Sequence, residues 1–274
     1  MIRLDAEAIR GALSDDVAAR LFSFEFFPEI ESTNSYLMQQ EAPPPGQVSV
    51  ALTDNQTRGR GRHGRTWQSP PGAGVCVSVG FTFATQPANL PALTLAIGLG
   101  AIAALEGVGV PGVQLKWPND LVAGDGKLGG ILTETRSHAP GAISVVSGLG
   151  INVDLGSKPA PDIETDWAYG VADLAGIVET LPSRNTLATS LIDGLCTTFI
   201  DYEASGFEYF VGRWSNRDWL FGREMTIETP QHRITGTAAG IARDGALLVD
   251  AGAEGVTRIT SGSVVMAGSR KVNA

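Results

Sequence analysis

The segment GVCVSVGFTF, residues 74–83, carries no charge and places Val75, Val77, Val79, Phe81 and Phe83 at every second position. Successive side chains of a β-strand leave opposite faces, so this spacing predicts a strand with one buried face. Such a strand needs neighbours to take its backbone hydrogen bonds, and the chain offers several. Val48, Val50 and Leu52 alternate in VSVALTD, and VQLKWPND reads as a strand that Pro118 ends. LGGILTET and AISVVSGLGINVD read as two more, which a short SHAPG turn could pair as a hairpin. FSFEFFPEIESTN reads as an extended segment ending in a polar turn, and residues 167–182 as irregular with short helical pieces. Helical spacing covers residues 4–12 and the stretch STNSYLMQQ, which opens on two N-cap residue types. From Leu90 to Val108, Leu93, Ile97, Ala101 and Leu105 recur four apart, the pattern of a mostly buried helix. Leu187, Leu191, Leu195 and Phe199 mark a final long helix, and Phe207 to Trp214 a short one.

Beyond Gly222 the texture changes to short alternating segments, with Asp244-Gly245 as a hairpin turn. They predict a β-barrel of about 50 residues, too small to be very stable alone and therefore docked on the rest. The boundary falls near Leu220, giving units 1–220 and 221–274. A chain of 274 residues with 43% hydrophobic content has the material for these two units and a sizeable core.

Charge narrows the function classes. The net charge is −9, which repels the phosphate backbone of nucleic acid at long range. A nucleic-acid role would have to rest on one local patch, and the only candidate is QTRGRGRHGRTWQSP, from Gln56 to Pro70. No run of about 18 apolar residues is evident, so no membrane-spanning helix is expected. The start, MIRLDAEAIRGALSDD, has early acids and no apolar signal core, which reads as cytoplasmic. Cys76 and Cys196 sit in apolar patterns and read as reduced, buried thiols. His63, His138 and His232 lie far apart, and no Cys/His spacing suggests zinc.

The arginine-rich loop contains GRGRHG, which matches G-x-G-x-x-G literally. The dinucleotide reading needs a helix directly afterwards and an acid about 20 residues on; here TWQSPPG and GFTF stand instead. Three readings remain: a solvated surface loop, an RGG-like nucleic-acid contact, and an anion clamp that is mobile until its ligand arrives. Arginine suits the clamp because its planar fork binds phosphate bidentately and stays charged. Trp67 offers either a flat stacking surface or a core plug.

Three other strings stand out. In LKWPNDLVAGDGKLGGILTE, Pro118 fixes an extended entrance, Asn119 and Asp120 put polar groups at a strand end, and Lys127 follows on a glycine-containing turn. A carboxylate placed there could help hold Mg²⁺ or orient a nucleotide. In SGLGINV, Gly148 and Gly150 suggest close approach, and Asn152 needs a definite hydrogen-bond partner. Ser32, Thr33 and Asn34 are small polar side chains at a helix start. Taken alone, the Lys127 string reads first as a plain turn with a surface lysine, and Ser32–Asn34 as simple N-capping.

Taken in order, STN at Ser32, GRGRHGRTW at Gly59, KWPND at Lys116, KLGGIL at Lys127 and GLGINV at Gly148 resemble the biotin–protein ligases, from about Phe22 to the end. The resemblance implies an α+β fold: a mixed-sheet catalytic domain with helices packed on one face, followed by a small SH3-like barrel. Some members also carry an N-terminal winged helix. Only 31 residues precede Ser32 here, against about 60 or more for a winged helix, so the expectation is the short form, with no DNA partner and no membrane.

By the same resemblance, Ser32, Thr33 and Asn34 would hold the ureido ring of biotin, with Gln56 assisting, and Arg60 and Gly61 would cover the biotin. Arg62 and Arg65 would reach the phosphates of ATP, and Trp67 would lie beside the adenine. Asn119 and Asp120 would serve nucleotide and Mg²⁺. Lys127 would sit between the biotin carboxylate and the α-phosphate, and Gly130, Gly148 and Asn152 would line the pocket. The implied chemistry is attack of the biotin carboxylate on ATP, giving biotinyl-5′-AMP and pyrophosphate, then transfer to a lysine of a biotin carboxyl carrier domain of a carboxylase. Either Asp120 or bulk water would accept the lysine's proton. Two rivals stay in view: a lipoate or octanoate transfer enzyme of the same fold, and a nucleic-acid-binding module built on the arginine loop.

Overall fold

The computed structural model describes residues 3–137, 141–156, 170–229 and 232–266. Two short helices open it, α1 (Ala6–Gly11), capped by the Asp5 carboxylate accepting from the Ala8 N–H, and α2 (Asp15–Ala19). Then come β1 (Leu21–Phe27), α3 (Thr33–Gln39), β2 (Val48–Thr53), β3 (Gln56–Arg60), β4 (Thr66–Ser69) and β5 (Gly74–Phe83). Helix α4 (Leu93–Gly107) leads to β6 (Val113–Lys116), β7 (Asp120–Ala123), β8 (Gly126–Ser137) and β9 (Ile143–Asn152). After α5 (Arg184–Ser205) and α6 (Glu208–Trp214) the chain forms β10 (Glu224–Glu228), β11 (Arg233–Ile241), β12 (Leu247–Asp250), β13 (Val256–Ile259) and β14 (Ser263–Met266). The centre of the expected SHAPG turn and the first part of the irregular 167–182 stretch lie outside the described residues.

The main sheet runs β1-β2-β5-β9-β8-β7-β6, parallel only between β1 and β2. The predicted hairpin of β8 and β9 is present. Strand β5 differs from expectation: all ten of its residues are buried, so both faces are covered. Its odd-numbered side chains meet the long helices, with Phe81 stacked on Phe199 of α5 at 5.3 Å between ring centroids. Its even-numbered ones face α3, where Leu37 approaches Gly80. The two long helices therefore occupy one face, α5 on β5 and α4 on β6 and β8, while the other face holds α3 and the β3–β4 hairpin.

Leu90–Gly107 has mean hydropathy 1.7 over 18 residues, so a stretch long and apolar enough to cross a bilayer does exist, contrary to the sequence reading. In the fold 61% of it is buried, packed against α5, β6 and β8. That is the composition of a central core helix, apolar on every side.

The C-terminal strands form a separate antiparallel sheet, β13-β12-β11-β10-β14. Its Asp244-Gly245 turn is the docking point. Gly245 has φ +84° and packs so closely on Ala92 that a Cβ there would stand 2.7 Å from the Ala92 Cβ. Trp117 Nε1 donates to the Gly245 carbonyl at 3.1 Å, and Trp219 Nε1 to that of Gly124 at 3.1 Å. Gly245→Val is thus expected to lower stability in a urea titration by roughly 2–4 kcal/mol, backbone strain plus overpacking. Gly252→Ala, at φ +69° with open space around it, should cost only the backbone part, about 1–2 kcal/mol.

Candidate active site

The strand register builds the site. Residues directly opposite across a sheet share a face. Lys116, Asp120, Gly130, Gly150 and Cys76 therefore form one row across β6, β7, β8, β9 and β5. Leu132, Gly148 and Ser78 form the next row. Two glycines in the first row and one in the second remove the side chains that would fill the middle of this face. The result is a cleft of about 1280 Å³, open mouth included.

A β-bulge between Leu121 and Val122 completes the charged end. Lys127 pairs with Val122 while Gly130 pairs with Asp120. Lys127 and Gly130 are an odd number apart and would face opposite ways in a regular strand; the extra residue restores them to one face. Lys127 Nζ lies 2.7 Å from Asp120 Oδ1, and Lys116 Nζ lies 3.8 Å from Oδ2. Lys116 and Asp120 are only 5% and 9% exposed. Burial pushes the Asp120 carboxyl up; Lys127 and Lys116 more than offset it, and the group stands below its ordinary value. Asn119 Nδ2 donates to the Ile131 carbonyl at 2.8 Å, and Arg62 Nη1 reaches Asn119 Oδ1 at 3.5 Å. Burial lowers the Arg62 guanidinium, Asp120 draws it back up, and Arg65 pushes it down; it remains a cation at any working pH.

The other end of the cleft is a polar recess. Ser32 caps α3, its hydroxyl accepting from the Ser35 N–H at 3.3 Å. Gln56 Oε1 accepts from the Thr33 N–H at 2.9 Å. Asn34 Nδ2 donates to the Leu132 carbonyl and to Glu134 Oε2, both at 3.0 Å, so its Oδ1 can only accept. Ser78 Oγ lies 2.6 Å from that oxygen and 2.7 Å from Thr33 Oγ1. Ser78 has one proton, and Asn34 takes it. Gly148 is needed here, because a Cβ would fall 2.2 Å from Asn34 Oδ1.

The arginine loop is a hairpin, not an irregular segment: β3 pairs with β4 around a 3-10 turn at Arg62–Gly64. It folds over the cleft. The Trp67 indole lies on the floor at Gly150, where a Cβ would come within 2.5 Å of it. Its Nε1 is buried without an acceptor among the described residues. Arg60 Nη2 latches the hairpin to β8 through Glu134 Oε2 at 2.6 Å. Arg60, Arg62 and Arg65 line the cleft; Arg58 points away and pairs with the exposed Glu31 at 3.2 Å. The basic patch is thus turned inward.

Every residue singled out from sequence lines this one cleft: Ser32, Thr33, Asn34, Gln56, Arg60, Gly61, Arg62, Arg65, Trp67, Asn119, Asp120, Lys127, Gly130, Gly148 and Asn152. Asn152 has the partner its burial demanded, the Ala172 carbonyl at 3.0 Å. The sequence reading missed Ser78 and Glu134 and gave Lys116 no role. Ser78 had a signal: it is a hydroxyl on the even positions of GVCVSVGF, the face the alternation left unexplained. Cys76 and Cys196 are both buried, and burial pushes the Cys196 thiol far up, so it offers no thiolate nucleophile.

Residues 26–152 match the biotin/lipoate A/B protein ligase family, and residues 220–266 match the biotin protein ligase C-terminal domain. The bifunctional ligase/repressor BirA of Escherichia coli (strain K12) is 34% identical over 248 residues, 90% of this chain and 73% of that protein. The biotin–[acetyl-CoA-carboxylase] ligase of Mycobacterium tuberculosis is 32% identical over 241 residues, 85% of each. Among solved structures, the biotin protein ligase from Aquifex aeolicus in complex with biotin and ATP superimposes with a TM-score of 0.72 at 26% identity, over 89% of this chain and 97% of that one. The chain belongs to the biotin protein ligases, within the biotin/lipoate A/B protein ligase family.

Two outcomes follow from the geometry. Ser78→Ala leaves Asn34 Oδ1 buried without a donor and should lower stability by about 1–3 kcal/mol in chemical denaturation. Lys127→Met removes the largest attraction holding Asp120 ionised, so its carboxyl should rise. A carboxyl depressed in the fold adds stability above its unfolded value, about 3.9, and loses it as pH falls through the folded value. The variant's acid unfolding, followed by circular dichroism, should therefore move to higher pH.

Proposed function

We propose that this protein activates biotin with ATP as biotinyl-5′-AMP and transfers the biotinyl group to a lysine of a biotin carboxyl carrier domain. The observation that carries this reading is the polarity of the cleft: a neutral hydrogen-bonding recess at one end, a buried cluster of cations at the other, and glycine floor between. That suits a ligand with a polar ring, an apolar stem and an anionic tail.

In this reading Ser32, Thr33, Asn34 and Gln56, backed by Ser78, take the ureido ring, and Arg60 and Gly61 cover the stem. Lys127, Arg62 and Arg65 neutralise the carboxylate and α-phosphate as the two anions meet, which is catalysis by positioning and electrostatics. Trp67 lies beside the adenine, Asn119, Asp120 and Asn152 serve the nucleotide, and Gly130 and Gly148 leave room along the floor. The hairpin excludes water from the mixed anhydride.

Among the described residues no three His, Cys, Asp or Glu side chains converge. Mg²⁺ is commonly held by one or two carboxylates plus substrate phosphates; Asp120 is the carboxylate in reach, where the ion would offset phosphate charge. Asp120 itself, held ionised between two ammonium groups, is a weak base, so the acceptor lysine's proton passes to water. Residues 1–220 serve as the catalytic unit and 221–274 as the small barrel, a division supported by the family match beginning at residue 220.

Lys127→Met should reduce biotin-dependent ATP–pyrophosphate exchange by about 100-fold or more while leaving the far-ultraviolet spectrum at neutral pH unchanged. Exchange near the wild-type rate would remove Lys127 from the role given to it.

A further inference from the structure

The β3–β4 hairpin that shields the cleft raises a question of access: an amine must still reach the activated carboxyl group. A second cleft of about 1230 Å³, open mouth included, lies beside the first, between the start of α4 and the Asp244–Ala246 turn of the C-terminal sheet. It shares Arg62, Pro118, Asn119 and Ile131 with the first cleft. The contact is thus at the cationic end, away from the Ser32–Asn34 recess. The register explains why space remains there. Strand β7 begins only at Asp120, so β8 beyond Gly130 has no strand on that side among the described residues.

We propose that this second cleft is the passage for the side chain of the acceptor lysine, a subsite that reaches the activated carboxyl around the end of β7. The inference rests on the ligase reading above. Its chemistry matches a lysine along its length. Asp244 stands at the outer turn of the C-terminal sheet, its Oδ2 held by Arg258 Nη2 and its Oδ1 accepting from the Ala246 N–H at 3.3 Å; the lone pairs these bonds leave on the carboxylate can accept from an arriving ammonium. Leu95, Trp117 and Pro118 give apolar walls for four methylene groups. Arg62 marks the inner end, where the amine nitrogen attacks the carbonyl carbon. The C–N bond forms as the bond from that carbon to the phosphate oxygen breaks, AMP leaves with that electron pair, and the two protons lost from the ammonium pass to water. Pyrophosphate is a poorer occupant: among the described residues, the charged side chains lining the space are one cation, Arg62, and one carboxylate, Asp244.

Two rim residues on opposite walls, Ala88 and Ser261, are exposed, and tryptophan at either would narrow the passage. Ala88→Trp and Ser261→Trp proteins with wild-type melting temperatures would be assayed in two steps. The first is biotin-dependent ATP–pyrophosphate exchange; the second is transfer from preformed biotinyl-5′-AMP to a carrier domain that the wild-type protein modifies. We expect exchange within about 2-fold of wild type and transfer at least about 10-fold slower, a loss on the order of 1.4 kcal/mol. Unchanged transfer in both variants overturns the passage. Loss of exchange in step with transfer also overturns it, by assigning the cleft to the first step and its pyrophosphate. A wild-type protein inactive in exchange would instead overturn the ligase reading itself, so the two failures are distinguishable.

Discussion

The buried grouping of Lys116, Asp120 and Lys127 is the constraint on which the remaining architecture depends. Two ammonium groups around one carboxylate leave excess positive charge in a place with little water. An uncompensated buried charge is expensive, and Asp120 offsets only part of it. The excess is tolerable because neighbouring elements share it: Lys116 Nζ also donates to the Val264 carbonyl of β14 at 3.4 Å. The same contact brings the C-terminal sheet to the wall of the cleft, where Gly262, Ser263 and Val264 line it. In the proposed reading an anionic substrate would complete the neutralisation, so that the cost of burial in the empty protein would become affinity for the two anions to be joined.

Everything else on that face is arranged around strand register. Glycines at positions 130, 148 and 150 clear two adjacent rows, and the bulge at Leu121/Val122 returns Lys127 to the face that Asp120 occupies. The hairpin then lies in the cleared space, with Trp67 on Gly150 and Arg60 on Glu134 at neighbouring register positions of its two strands. Across the cleft the lid is held by side chains, the Arg60–Glu134 ion pair, the Arg62–Asn119 hydrogen bond and the Trp67 ring contact; these lie outside the sheet's own hydrogen-bond ladder, which suits the lid to opening and closing.

Much of this was legible from sequence, and the omissions have a common cause. Alternation announced β5, and cap residues announced α3 at Ser32. The ordered motifs brought together residues as distant as Ser32 and Asn152. Pattern within one strand, however, carries no information about which residue stands opposite. The rows joining Lys116 to Gly150, or Ser78 to Gly148, exist only once five strands are aligned. The even-position hydroxyl of Ser78 was a signal without a partner for that reason, and Glu134 is an ordinary carboxylate in LTETRS until Arg60 and Asn34 are folded against it. The same blindness made β5 look half exposed. Odd-position valines predicted one buried face, while small even-position residues gave no hint that α3 and the hairpin cover the other.

In the proposed reaction the cationic cluster joins biotin to the α-phosphate and the hairpin then keeps the product from water. The most direct measurement incubates the protein with biotin and α-phosphate-labelled ATP without any carrier, followed by rapid gel filtration. The account predicts biotin and label eluting with the protein in a one-to-one ratio as biotinyl-5′-AMP. Label recovered only as free AMP or unreacted ATP, with none retained beside biotin, would contradict it.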